Sequence, residues 1–177
     1  MDCNPELIAA AQNNTAKLGF SDRFVLHTGE LADTRFLENL RMEASPVQLV
    51  MANPPWRLVG SGRLPATEAR RKALFGDKGT FPLFASAASS LLEEDGRFAC
   101  IISPDRLQDM LAALNGAGLT PYLLQYIHKQ KTSPATFVLI EARKGAHAKP
   151  SVAEPIALYG QERFFTLESL AFCPFLR

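Results

Sequence analysis

The chain has 177 residues, of which 47% are hydrophobic: one domain's worth, with enough apolar content to bury a sizeable core and to exclude a disordered chain. Cys3, Cys100 and Cys173 are odd in number and widely spaced, which argues against a disulfide framework or a zinc site and for a reducing cytoplasm. No apolar run approaches the length of a membrane span, and the first residues lack the basic-then-apolar order of a signal peptide.

The net charge of +1 hides an uneven distribution. Up to residue 45 four cations stand against seven acids; from Arg57 to Lys78 six cations (Arg57, Arg63, Arg70, Arg71, Lys72, Lys78) stand against two acids. Lys129, Lys131, Arg143, Lys144 and Lys149, with only Glu141 against them, form a second basic stretch. Clustered cations are the footprint of a polyanion, although a solvated face has the same composition.

Asn4-Pro5-Glu6 predicts a helix start, with a capping asparagine, proline at the first helical position and an acid in the first turn; the helix runs to about Leu18 and ends at Gly19. Residues 23–28 are rich in β-formers and read as a strand ending at Gly29-Glu30, and residues 33–43 as a weaker helix. Residues 47–52 predict a strand buried on both faces, within the sheet interior, that stops at Asn53 because proline cannot extend the ladder. Residues 57–79 hold four glycines and read as a loop with at most a short helix over 66–74. Thr80 can cap a helix with Phe81, Phe84, Ala85, Ala88, Leu91 and Leu92 on one face and Gly96 beyond its end. Residues 97–103 form the next buried strand. Ser103-Pro104-Asp105 starts a helix with Leu107, Met110, Leu111 and Leu114 at core spacing, stopped by Asn115-Gly116. Residues 122–128 and 136–142 are strands joined by a loop too short for a crossover helix, so they must pair antiparallel. The class is α/β: a mainly parallel sheet with an antiparallel hairpin as its edge element. The main domain is expected over residues 1–145, with 146–177 as an extension packed on it.

Asn53-Pro54-Pro55-Trp56 carries the chemistry. At a strand's carboxyl end, where open α/β sheets place ligands, it offers a side-chain carbonyl, a backbone carbonyl fixed by proline and an indole face. These suit a planar group bearing an amine: two oxygens accept from an NH2 while the ring stacks, leaving the nitrogen lone pair aimed at an electrophile. A turn initiator followed by a core tryptophan is the bland alternative for the same residues.

The tetrad resembles the NPPY/F/W motif of class I S-adenosylmethionine-dependent aminomethyltransferases, and the terminal hairpin resembles the one that closes their Rossmann-like sheet. Asp2-Cys-Asn-Pro-Glu, Arg70-Arg71, Glu141-Ala-Arg-Lys-Gly145, Pro155-Ile-Ala-Leu-Tyr159 and Phe165-Thr166-Leu-Glu168 are similar to the bacterial tRNA1(Val) adenine-N6-methyltransferases. The resemblance implies methyl transfer from S-adenosylmethionine to adenine N6 of tRNA, with no metal and no dedicated histidine base. Asn53 and the Pro54 carbonyl would hold the target amine and Trp56 would stack on the base. Asp2 would bind the cofactor ribose, Glu30 would lie near its adenine, and Asn53 would border the cofactor as well. Pro55, Arg57, Arg70 and Arg71 would contact the RNA. His27 and His128 read as structural histidines, and His147 carries no signal.

The family begins with a strand, a glycine-rich turn and a helix that hold the methionine end of the cofactor. Met1 aligns where the second strand ends, so the sheet is expected to lack its first strand and helix. On this expectation, the 177-residue chain binds S-adenosylmethionine weakly or not at all, and a version extended upstream binds it. Two rivals share the tetrad. A glutamine methyltransferase of protein release factors would present an amide NH2 in the same way, though such enzymes carry an upstream helical domain and lack this tail. A non-catalytic remnant would bind RNA through its basic loops.

Overall fold

The computed structural model describes residues 1–44, 46–58, 60, 65–145, 149–160 and 164–173, with the Phe172 side chain excepted; His147 and Arg63, named above, lie outside them. The chain divides into two compact units, Met1–Ala44 and Ser45–Arg177.

In the first unit, Asn4 caps α1 (Pro5–Lys17) as its sequence predicts, its side chain accepting from the Glu6 N–H at 2.9 Å. Asp33 does the same for α2 (Thr34–Ala44), where its Oδ1 accepts from the N–H groups of Arg35 and Phe36. The strand expected over residues 23–28 does not form. A 3-10 turn spans Ser21–Arg23, Phe24 and Val25 are exposed, and only Thr28 pairs, in an isolated parallel bridge to Asp2. Strand-forming side chains do not make a strand without a partner backbone, and among the described residues Asp2 is what this segment pairs with.

The second unit is built on one sheet. It contains β1 (Val47–Ala52), β2 (Arg57–Leu58), α3 (Glu68–Leu74), β3 (Phe75–Gly76), α4 (Thr80–Leu91), β4 (Leu92–Ile102), α5 (Leu107–Gly116), β5 (Leu119–Gln130), β6 (Ala135–Lys144), β7 (Ser151–Val152), β8 (Ile156–Tyr159) and α6 (Leu167–Phe172). The sheet order is β1-β4-β6-β5-β7, with β8 also on β5, while β2 and β3 make a separate parallel pair. β6 runs against all the others, so the sheet is mostly parallel with a C-terminal antiparallel hairpin, as expected.

Two expectations need correcting. The antiparallel strand is not at the edge: β6 lies between β4 and β5, hydrogen-bonded to both. And β1 is the edge strand of this sheet, pairing with β4 alone among the described residues. Its burial accordingly alternates: Val50 and Ala52 pack on the core, whereas Leu49 and Met51 are 43% and 75% exposed. The apolar run gave no sign of this, because Leu49 and Met51 are as hydrophobic as their inward neighbours.

α4 and α5 cover one face of the sheet. Phe81, Ala85 and Ala88 from α4 and Met110 and Leu114 from α5 meet Phe98, Cys100, Ile102, Val138 and Ile140 in a buried cluster. Register explains the match: Cys100 stands beside Ile140, and Ile102 beside Val138, all on the covered face. Thr80 is the first residue of α4 rather than its cap. Its hydroxyl donates to Asp77 Oδ1 at 3.1 Å and accepts from the Asp77 N–H, because Asp77 folds back in a tight turn and Gly79 takes the cap position.

Burial pushes the Cys100 thiol up to about 12. Since the thiolate is the reactive form, iodoacetamide at about pH 8 is expected to alkylate exposed Cys3 in the native protein and to spare Cys100 until denaturant is added. Peptide mass spectrometry reads both; rapid native labelling of Cys100 would show that this core position opens to solvent.

Candidate active site

β1 delivers Asn53-Pro54-Pro55-Trp56 to the carboxyl-end rim of the second unit's sheet. Pro54 and Pro55 have no N–H to continue a ladder, so the backbone leaves the sheet here. Asn53 is exposed, Pro54 is fully buried, and Pro55 and Trp56 are half-buried. The buried pyrrolidine anchors the turn while the amide side chain before it stays open to solvent.

Three contacts hold Trp56 and the residues just beyond it. The Trp56 indole meets Phe137 edge-on, with centroids 6.2 Å apart and planes at 74°. Phe137 lies near the start of β6, and because β6 runs backwards its start shares the rim with the end of β1. The Trp56 carbonyl accepts from Arg106 Nη1 at 2.9 Å, and Arg106 itself is buried. After the tetrad, Arg57 and Leu58 pair with Phe75 and Gly76, tying the tetrad to the segment that enters α4. Gly76 is packed so close that a Cβ there would stand 2.6 Å from the Pro55 carbonyl oxygen.

The other expected substrate residues are all exposed. Arg57 lays its guanidinium 5.2 Å from the Trp56 ring centroid, a planar cation over an aromatic face. Arg70 and Arg71 lie on α3, which Thr67 caps; Arg71 pairs with Glu68 one turn back. Of these three, Arg57 is brought directly to the tetrad.

Asp2 and Glu30 belong to the first unit. The Asp2 N–H donates to the His27 carbonyl and the Gly29 N–H to the Asp2 carbonyl, both at 3.2 Å, so two parallel segments end side by side. Asp2 is half-buried with Oδ1 accepting from the Asn4 N–H at 2.8 Å, and Glu30 is exposed two residues beyond the bridge. Carboxylate acceptors at adjoining carboxyl ends have the donor-binding chemistry that ribose hydroxyls and an adenine amine require. His128 Nδ1 donates to the Ser133 carbonyl at 2.6 Å within the hairpin turn, and His27 lies 3.7 Å from Glu43.

Arg106, Gly76 and Phe137 were not legible as site residues in the sequence. Arg106 had a signal: it falls four and seven residues before Met110 and Ala113, a cation on the buried face of a helical stripe. Gly76 read as loop punctuation, and nothing local pairs Phe137 with Trp56.

No family model matches the chain. The tRNA1(Val) (adenine(37)-N6)-methyltransferases of two Porphyromonas gingivalis strains are 32% identical over 112 residues, 62% of this chain and 42% of theirs, so the match spans less than half the length of these relatives. Among solved structures, a predicted O-methyltransferase from Agrobacterium tumefaciens matches 98% of this chain and 73% of its own, with a TM-score of 0.72 and 18% identity. The type I restriction enzyme EcoKI M protein matches 98% of this chain and 38% of its own, with a TM-score of 0.56 and 18% identity. The chain thus has the Rossmann-like fold of the class I methyltransferases, and its sequence is similar to that of the tRNA1(Val) adenine-N6-methyltransferases.

Proposed function

We propose that the protein acts in methyl transfer from S-adenosylmethionine to the exocyclic N6 of an adenine in tRNA, in the cytoplasm. The observation that carries this reading is the tetrad itself: an exposed Asn53 amide on a buried Pro54 at a strand's carboxyl end, beside a tryptophan held from behind. The similarity to tRNA-modifying relatives supports the choice of substrate.

Asn53 Oδ1 and the Pro54 carbonyl accept the two amine hydrogens of a flipped-out adenine, which turns the nitrogen lone pair away from the ring plane. Trp56 supplies a stacking surface, and the base takes the ring face over which Arg57 lies, freeing that guanidinium for a neighbouring phosphate. S-adenosylmethionine supplies an electrophilic methyl group on a sulfonium. Asp2 and Glu30 would hold its ribose and adenine, and Asn53 would orient the target amine.

The direct test is transfer of labelled methyl groups to total tRNA and, in parallel, to a glutamine-containing release-factor peptide, by this chain and by the version extended upstream that is expected to bind the cofactor, followed by nucleoside digestion of the tRNA. N6-methyladenosine is the expected product; label on a glutamine-containing release-factor peptide instead would move the reading to the protein methyltransferases, and no transfer with tRNA still bound would move it to a non-catalytic RNA binder. A second expectation concerns affinity. Arg70→Ala with Arg71→Ala should raise KM for tRNA, leave kcat unchanged and lower the slope of log affinity against log salt by about 1–2, since each lost phosphate contact removes about 0.7–0.9 of released counterion. An unchanged salt slope would take both arginines out of the RNA contact.

A further inference from the structure

Arg106 is a charge in a core that does not need one. It is 7% exposed among the apolar side chains of α4 and α5, and its guanidinium lies 4.5 Å from the Phe81 ring centroid. An unpaired buried guanidinium is strongly destabilising, and a methionine would fill the same space without that penalty. Two of its edges are committed: Nε donates to Asp109 Oδ2 at 2.7 Å, and Nη1 donates to the Trp56 carbonyl at 2.9 Å. Asp109 is itself largely exposed and stands one helical turn away, so it orients the fork from the same element. The Trp56 carbonyl is fifty residues away in sequence. Its own neighbourhood offers little to hold it, because β1 has ended at Ala52 and the two prolines between cannot donate. The 3-10 turn Pro104–Arg106, closed by the Arg106 N–H on the Ser103 carbonyl, sets the guanidinium at the carboxyl end of β4, next to the end of β1.

We propose that Arg106 is a positioning residue for the methyl-transfer site: its guanidinium, oriented by Asp109, clamps the Trp56 carbonyl and so fixes the Asn53–Trp56 tetrad in the geometry that meets the base. The catalytic half of this inference rests on the function proposed above; the structural half does not. Trp56 is the single tryptophan of the chain, so its fluorescence reads the tetrad directly.

The experiment compares Arg106→Met, Arg106→Lys and Asp109→Ala with the parent protein by acrylamide quenching of Trp56, circular dichroism and methyl transfer to tRNA. With the fold intact, Arg106→Met should red-shift the emission, make Trp56 more accessible to quencher and lower kcat on the order of 10- to 10²-fold, because misplacing a reacting group by about 1 Å has effects of that size. KM for tRNA should change little. Arg106→Lys, which keeps the charge but not the planar fork, should fall between, as should Asp109→Ala at its exposed position. Should Arg106→Met fail to fold, the other two variants decide. Parental quenching and kcat in folded Arg106→Lys and Asp109→Ala proteins would overturn the proposal, as would altered quenching with an unaltered kcat. If neither the parent nor its upstream-extended version transfers a methyl group, the functional reading fails, and the quenching data still decide whether Arg106 holds the tetrad.

Discussion

In the upstream-extended form that is expected to bind the cofactor, replacing Asn53 with alanine is expected to lower kcat for tRNA methylation by about 10²-fold or more while leaving the thermal midpoint unchanged. Asn53 is exposed at the end of β1, so truncating it opens no cavity and disturbs none of the buried cluster beneath α4 and α5. What it removes is an acceptor that matters most while the amine is attacking, when the nitrogen carries growing positive charge and its hydrogens bind carbonyl oxygens most strongly. Losing such a group lowers kcat rather than raising KM. Single-turnover kinetics with saturating tRNA separate the two. A folded Asn53→Ala protein that methylates at the parental rate would remove the amine-orienting role from the mechanism.

The second large effect is expected at Gly76, where alanine should lower stability by about 1–3 kcal/mol and kcat by about 10²-fold. Gly76 has no need of unusual backbone angles; what it needs is space. An added Cβ would stand 2.6 Å from the Pro55 carbonyl oxygen and 2.6 Å from Thr80 Oγ1. The threonine hydroxyl is engaged with the Asp77 N–H and carboxylate, so moving it breaks the turn that starts α4. Moving the Pro55 oxygen instead shifts the tetrad itself. Both routes of relief damage something nearby, which is why one methyl group should act on folding and on catalysis together. Urea denaturation gives the first and kcat the second; a neutral Gly76→Ala would mean that β3 slides away from Pro55 without consequence.

The features legible in the sequence were those whose cause is local. Asn4-Pro5 announces a helix start by capping chemistry, Pro54 ends a strand by lacking a donor, and the short stretch between the expected strands 122–128 and 136–142 leaves no room for anything but an antiparallel return. The misreadings share the opposite property. Residues 23–28 have strand composition but lack a partner backbone, and the exposed side chains of β1 look the same as the buried ones. Whether β6 sits at the edge or inside depends on which face of which neighbour it meets, and hairpin length is silent on that. At the site, the tetrad declares itself by composition, whereas Arg106 and Gly76 act on a backbone fifty and twenty-one residues distant, through contacts with no sequence period.

The interior place of β6 also imposes an order in time. Within this sheet, the hydrogen bonds that join β1 and β4 to β5 and its partners pass through β6, whose residues emerge from the ribosome after those of both strands it separates. Until Ala135–Lys144 have been made, β4 and β5 each present a raw inner edge, and no shorter nascent chain can close the sheet. Assembly of this unit is therefore a late, keystone-like event, and a released chain that ends before residue 135 leaves those two inner edges open for a chaperone to shield.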